Sequence, residues 1–249
     1  RAEIEIAKHP DSRWRGAGWL SLLALHGGAA ELDWIEAQGE GRDWAMEVDR
    51  ALAEGARNPA AADRLVARIA DPHHFLWSPY LDAFARENPR RAFDAAAQGL
   101  QGPRTRQRDE LWRMLGDATT EATLPETLAL IDGLRGEGAR LEALSAVERI
   151  ARRGLPTAGF EPIIDLPRTI LAEYAARGVE PDSRADATRL REALNTLRGN
   201  PVAWNADTLA LVKGLADRVD SDLARFVQKT AEKMEAGLQA EDSGWQPER

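Results

Sequence analysis

Residues 127–134 read TLALIDGL, and residues 208–215 read TLALVKGL. Six of the eight positions are identical, and Ile131 for Val212 keeps the apolar character of a seventh. Each copy carries a quartet at i, i+3, i+4 and i+7: Thr127-Leu130-Ile131-Leu134 and Thr208-Leu211-Val212-Leu215. That spacing marks one face of a helix. The same quartet recurs in Ala62-Leu65-Val66-Ile69, Phe93-Ala96-Ala97-Leu100 and Leu190-Ala193-Leu194-Leu197. No period-2 run of β-branched or aromatic residues competes with it, so the chain reads as all-α. The duplicated octapeptide is then the same inward helix used twice, with Leu130 and Leu211 expected in the interhelical core.

Helix starts and stops agree with the period. Asn58-Pro59, Asp71-Pro72, Ser78-Pro79, Asn88-Pro89 and Asn200-Pro201 each set a capping side chain before proline. The cap oxygen takes an orphan backbone N–H, and proline in the first turn has none to leave unpaired. Thr123 and Glu126 have capping-box spacing. Gly27-Gly28, Gly39, Gly102, Gly136, Gly154, Gly178 and Gly199 each follow an apolar stripe as stop signals.

These signals predict about a dozen helices of roughly 10–18 residues joined by short turns. Gly99-Leu100-Gln101-Gly102 returns as Gly133-Leu134-Arg135-Gly136 after 34 residues, and Leu111, Met114 and Ala118 return as Leu144, Val147 and Ala151 after 33. A helix–turn–helix unit of this size suits a solenoid repeat. Over residues 29–238 the chain resembles the α-solenoid superfamily of HEAT or tetratricopeptide kind. Trp112-Arg-Met-Leu115-Gly116 matches the opening of a tetratricopeptide unit, although Thr119 and Leu128 depart from the Tyr and Ala of that pattern. The resemblance implies stacked antiparallel helical hairpins forming an α-solenoid-like right-handed superhelix. Within it, 1–154 reads as hairpin repeats, 155–166 as an irregular Pro/Gly connector, 167–238 as further hairpins with a C-terminal cap, and 239–249 as a disordered polar tail.

Composition excludes several functions. The chain has 249 residues, 43% hydrophobic and 30% charged, enough for a folded core. The absence of cysteine removes disulfides and every thiolate site. The longest apolar run, Trp19–Leu25, is far short of the ~18 residues of a membrane span. With no leader-like segment, the reading is a soluble chain, with the cytoplasm favoured. Starting at Arg1 without methionine, it is expected to be a fragment or processed form, part of a larger protein or complex. The net charge of −8 argues against a nucleic-acid footprint, which needs a basic face.

Chemical motifs are missing where an enzyme would need them. His73-His74 are adjacent, and neighbours on a helix point about 100° apart, so they do not share a metal. With Asp71 as cap, His73-His74 instead read as a helix start that turns Phe75 and Trp77 inward. Asp217, Asp220 and Asp222 lack the glycine and terminal glutamate of a calcium loop. No nucleophile elbow, phosphate loop or dinucleotide fingerprint occurs. No catalytic residue, metal or cofactor is expected.

Two features point to binding. Arg104, Arg106 and Arg108 crowd the start of a helix, where the dipole disfavours cations by ~0.3–1 kcal/mol each. The chain also holds eight tryptophans against two tyrosines, and Trp and Arg are favoured interface anchors. Trp77, Tyr80, Arg104, Arg106, Arg108 and Trp112 are therefore the candidate partner-binding residues. The expected function is a helical-repeat scaffold for a protein or peptide, with a non-catalytic domain of a larger enzyme as the alternative, and an all-α enzyme or a nucleic-acid-binding repeat behind it.

Overall fold

Asn58 and Pro59 open a helix as their order predicts: Asn58 Oδ1 accepts the Ala60 amide at 3.1 Å, with Pro59 at the first helical position. Asn88 does the same for the helix that begins at Pro89, capping the Arg91 amide. The structure, a computed structural model, describes residues 13–39, 44–71, 73–102, 107–177, 184–219 and 221–242. Among the described residues there are fourteen α-helices, two 3₁₀ turns and no strand, so the fold is all-α.

The chain divides into two compact units, Arg1–Leu124 and Pro125–Arg249. The division falls before the Pro/Gly-rich stretch at 155–166, which lies inside the second unit. The first unit contains α1 (Arg13–His26), α2 (Ala29–Gln38), α3 (Ala45–Glu54), α4 (Pro59–Ala70), α5 (Ser78–Glu87), α6 (Pro89–Gln101) and α7 (Arg108–Ala118). Helix α1 packs on α3, α3 on α5 and α5 on α7; α2 packs on α4 and α4 on α6. Consecutive pairs α1/α2, α3/α4 and α5/α6 also touch.

Polar side chains tie each pair to the one before. Asn58 Nδ2 donates to the Ala24 and Gly27 carbonyls at 2.8 and 2.9 Å, closing the C-terminal end of α1. Arg91 Nη1 donates to the Pro59 carbonyl at 3.2 Å, reaching from α6 to α4. Gly55, at the end of α3, lies against α1 so closely that a Cβ there would sit 2.8 Å from the backbone carbon of Ala24. Leu32, Ile35, Leu52, Leu65, Phe84 and Trp112 are buried in this unit's core.

The second unit contains α8 (Leu124–Asp132, its first residue at the boundary), α9 (Glu137–Arg152), α10 (Glu161–Ile164), α11 (Leu166–Arg177), α12 (Arg184–Gly199), α13 (Ala206–Leu215) and α14 (Ser221–Asp242). Helix α12 is central, touching α9, α11 and α14. Its predicted stripe Leu190, Ala193, Leu194 and Leu197 is fully buried. Helix α9 ends in a Schellman motif: Gly154 is left-handed at φ 72°, the Leu155 amide reaches Ile150 O and the Gly154 amide reaches Ala151 O. The buried Glu148 carboxylate then accepts both Arg152 Nε and the Val202 amide at 2.6 Å, fixing the 3₁₀ turn Pro201–Ala203 against α9.

The first copy of the octapeptide runs from α8 two residues past its end and the second lies on α13, and seven of the eight positions share the same degree of burial in the two copies. The buried positions are Thr127 and Ile131 in one copy and Thr208, Val212 and Leu215 in the other. Leu130 and Leu211 are only half-buried, so the inward line is rotated toward Thr/Ile and Thr/Val. The expected core placement of Leu130 and Leu211 is corrected accordingly: short, β-branched residues fill the close side.

Two more expectations change. Asp71 and residues 73–77 do not start a helix. Asp71 ends α4, its Oδ1 accepts the His73 amide in a tight turn, and α5 begins at Ser78 without a side-chain cap. The chain past Leu238 is not all tail either, because α14 continues to Asp242; Gln239-Ala-Glu-Asp242 contains no residue that stops a helix. Arg104, Arg106, Gly178 and Asp220 lie outside the described residues.

Candidate binding surface

The segment between α4 and α5 reads Asp71-Pro-His73-His74-Phe75-Leu76-Trp77. Near Trp77 the backbone is extended, with φ −72° and ψ 142°. Extended chain alternates its side chains, and here the alternation is complete: Phe75 is 56% exposed, Leu76 0% and Trp77 51%. Leu76 anchors the segment in the core while the two rings face outward. Phe75 and Trp77 do not pack inward as the helix-start reading expected, because that reading assumed helical spacing where the chain is extended.

Three further ties hold the segment. His74 Nε2 lies 3.0 and 3.2 Å from the two carboxylate oxygens of Asp49 on α3. Asp49 is buried and also accepts Arg68 Nη1 from α4, so one carboxylate joins α3, α4 and the segment. Buried charges persist only with such partners. Gln107, itself buried ahead of α7, donates through Nε2 to the His74 carbonyl at 2.6 Å. Ser78 Oγ donates to Glu110 Oε2 on α7 at 2.6 Å. The ionic contacts continue outward, since Arg68 reaches Glu36 on α2 at 3.3 Å and Arg64 bonds both Glu36 and Asp33.

Tyr80 completes the surface. Its amide donates to the Trp77 carbonyl at 2.9 Å, so the two side chains stand at i and i+3 on the first turn of α5. Burial raises the Tyr80 hydroxyl above its ordinary ionisation range, with the Glu47 carboxylate on α3 adding to the shift. Met46, also exposed, precedes Glu47 in the first turn of α3.

Of the residues singled out in the sequence, the structure brings Trp77 and Tyr80 together. Trp112 does not join them: it is 0% exposed, and its indole Nε1 has no hydrogen-bond partner among the described residues. A fully enclosed ring cannot anchor a partner, so Trp112 is a core residue of α7. Arg108 Nη1 donates to the Leu100 carbonyl at 2.9 Å, closing the end of α6. Phe75, His74, Asp49 and Gln107 were missed; the alternating His-Phe-Leu-Trp pattern was the available signal for Phe75.

A second concavity lies in the other unit, a groove of about 860 Å³ between α11 and α13 floored by Ala172, Ala176, Ala210, Leu211 and Gly214. Its exposed floor explains why Leu211 is only half-buried. Comparison with protein-family models, curated proteins and solved structures finds no match for this chain. No group of three or more His, Asp or Glu side chains among the described residues is arranged to hold a metal ion. No described helix is long and apolar enough to cross a membrane.

Proposed function

We propose that the chain is a helical-repeat scaffold whose first unit binds a protein or peptide partner through Phe75, Trp77 and Tyr80. The observation that carries the reading is the held segment at 71–77. Two large rings are exposed on a backbone fixed by the buried Leu76 and by bonds from Asp49, Gln107 and Glu110. Exposing two such rings forgoes their burial, and a chain selected only for stability would turn them inward. A fixed backbone loses little entropy on binding, and rigid aromatics are the side chains that dominate interfaces.

The repeat part of the proposal draws on the packing of α1 on α3, α3 on α5 and α5 on α7, beside the row α2, α4 and α6. Asn58 and Asn88 supply equivalent bonds from one hairpin to the preceding one. Such nearest-neighbour stacking is the hallmark of solenoid repeats.

The test is selection of binders from a displayed random-peptide library against the folded chain. Binders whose affinity drops at least about tenfold in Phe75→Ala/Trp77→Ala, with melting unchanged, support the reading. A set of binders indifferent to both substitutions would sink it.

A further inference from the structure

The charges around the aromatic surface carry the question one step further. Glu47, Asp71 and Asp109 have no ion-pair partner among the described residues. Glu47 is the charge that weighs most on Tyr80, Asp71 opens the segment that bears Phe75 and Trp77, and Asp109 sits beside the Glu110 that holds Ser78.

Among the described residues the nearby cations each have a carboxylate within ion-pair range. Arg68 is held by Asp49 and Glu36, Arg50 lies 3.8 Å from Glu54, and Arg113 lies 3.3 Å from Glu110. Among the described residues, what remains beside Tyr80 and the segment that bears the two exposed rings is a surplus of carboxylate. The chain as a whole is acidic too, at −8.

Resting on the binding reading above, we propose that this surface takes a basic peptide segment, with an arginine or lysine side chain against the Trp77 and Tyr80 rings and its charge toward Glu47. Ring faces attract cations, most strongly for tryptophan and arginine. A negative field around the rings selects the same partners and speeds their encounter. An acidic segment would meet the Glu47 carboxylate that already bears on Tyr80, and a purely apolar one would leave that carboxylate without an ion-pair partner among the described residues.

The experiment displays a random-peptide library against the whole chain and against Glu47→Gln/Asp109→Asn, with Trp77→Ala as the control for the surface. Clones from the parent chain should be enriched in Arg or Lys beside an apolar residue. Their affinity should fall about fivefold or more in the double variant and weaken as salt is raised. Trp77-dependent clones that lack basic residues, or that bind the double variant equally, overturn the basic-partner inference and leave the binding surface standing. The absence of any Trp77-dependent clone overturns both.

Discussion

Asn88 Nδ2 donates to the carbonyl oxygen of Ala56 at 3.0 Å while its Oδ1 caps the Arg91 amide. One side chain therefore starts α6 and closes the chain leaving α3. Asn58 does both jobs one helix pair earlier. Aspartate is as good an N-cap as asparagine, but it cannot donate. Asn58→Ala is expected to cost about 2–3 kcal/mol, the cap plus two bonds to carbonyls. Asn58→Asp, which keeps the cap and turns a carboxylate toward Ala24 and Gly27, is expected to lose at least about 1 kcal/mol. Urea unfolding of both variants decides it: an Asp variant as stable as the parent would mean the backward bonds contribute nothing.

The duplicated octapeptide gives a sharper test of helix facing. Val212 is fully buried, whereas Leu211 borders the open groove between α11 and α13. Val212→Asp is expected to remove several kcal/mol, because an unpaired carboxylate enters an apolar core. Leu211→Asp is expected to cost about 1 kcal/mol, since its carboxylate can reach water. Thermal melts that rank the two the other way would overturn the assignment of the inward line.

The contrast between these neighbours shows what the sequence could and could not tell. A period of 3.6 identifies the helix and the general side it buries, and TLALIDGL and TLALVKGL do occupy equivalent faces. It does not say whether Thr208 and Val212 or Leu211 meets the closer neighbour, because that depends on which helix packs there. The candidate site divided the same way. Trp77 and Tyr80 were legible as candidates from residue type. The fixing of their segment was not, because Asp49 and Gln107 come from distant positions and no local pattern announces such pairs. Asp71-Pro72 has the chemistry of a helix start, and a tight turn uses the same side-chain oxygen in the same way.

Trp112 illustrates a core residue that is imperfectly satisfied. Its ring is fully enclosed, yet Nε1 lacks an acceptor among the described residues. A buried donor left unpaired costs about 1–3 kcal/mol. Trp112→Phe removes that donor along with part of the ring, so the two effects oppose each other. Its net change in unfolding free energy is expected to stay within about 1 kcal/mol, against about 3–5 for Trp112→Ala. Equal losses for the two variants would show that the ring kept by phenylalanine contributes nothing and that the position requires the indole itself.

The chain has two tyrosines, Tyr80 and Tyr174. Burial raises both hydroxyls first; at Tyr174 the hydrogen bond to Asp186, at 3.0 Å to Oδ1, adds to it. A folded-state value raised above the unfolded one, near ~10, means the native state holds its proton longer. The associated stability is therefore fully present below pH ~10 and is lost as pH rises through the folded values. Ultraviolet titration of the native chain should show no tyrosinate forming at the ordinary pH. Tyr174→Phe should flatten the alkaline fall in stability measured by urea unfolding. Ordinary titration of both rings in the native chain would contradict the burial that sets these shifts.

Gly237 on α14 faces the indole of Trp204, and a Cβ at that position would lie 2.2 Å from Cζ3. The ring cannot swing aside freely, because Nε1 donates to the Leu197 carbonyl at 2.6 Å, tying it to the end of α12. Gly237→Ala must then break that bond or push α14 off α12. A cost of about 1–3 kcal/mol is expected, despite alanine's better helix propensity. Trp204→Ala removes the obstacle at its own cost in lost packing. In the double variant the alanine at 237 should be harmless or mildly stabilising, so the two losses should fall short of additive by 1 kcal/mol or more. Additive losses in the double-mutant cycle would show that the glycine is not there to make room for the ring.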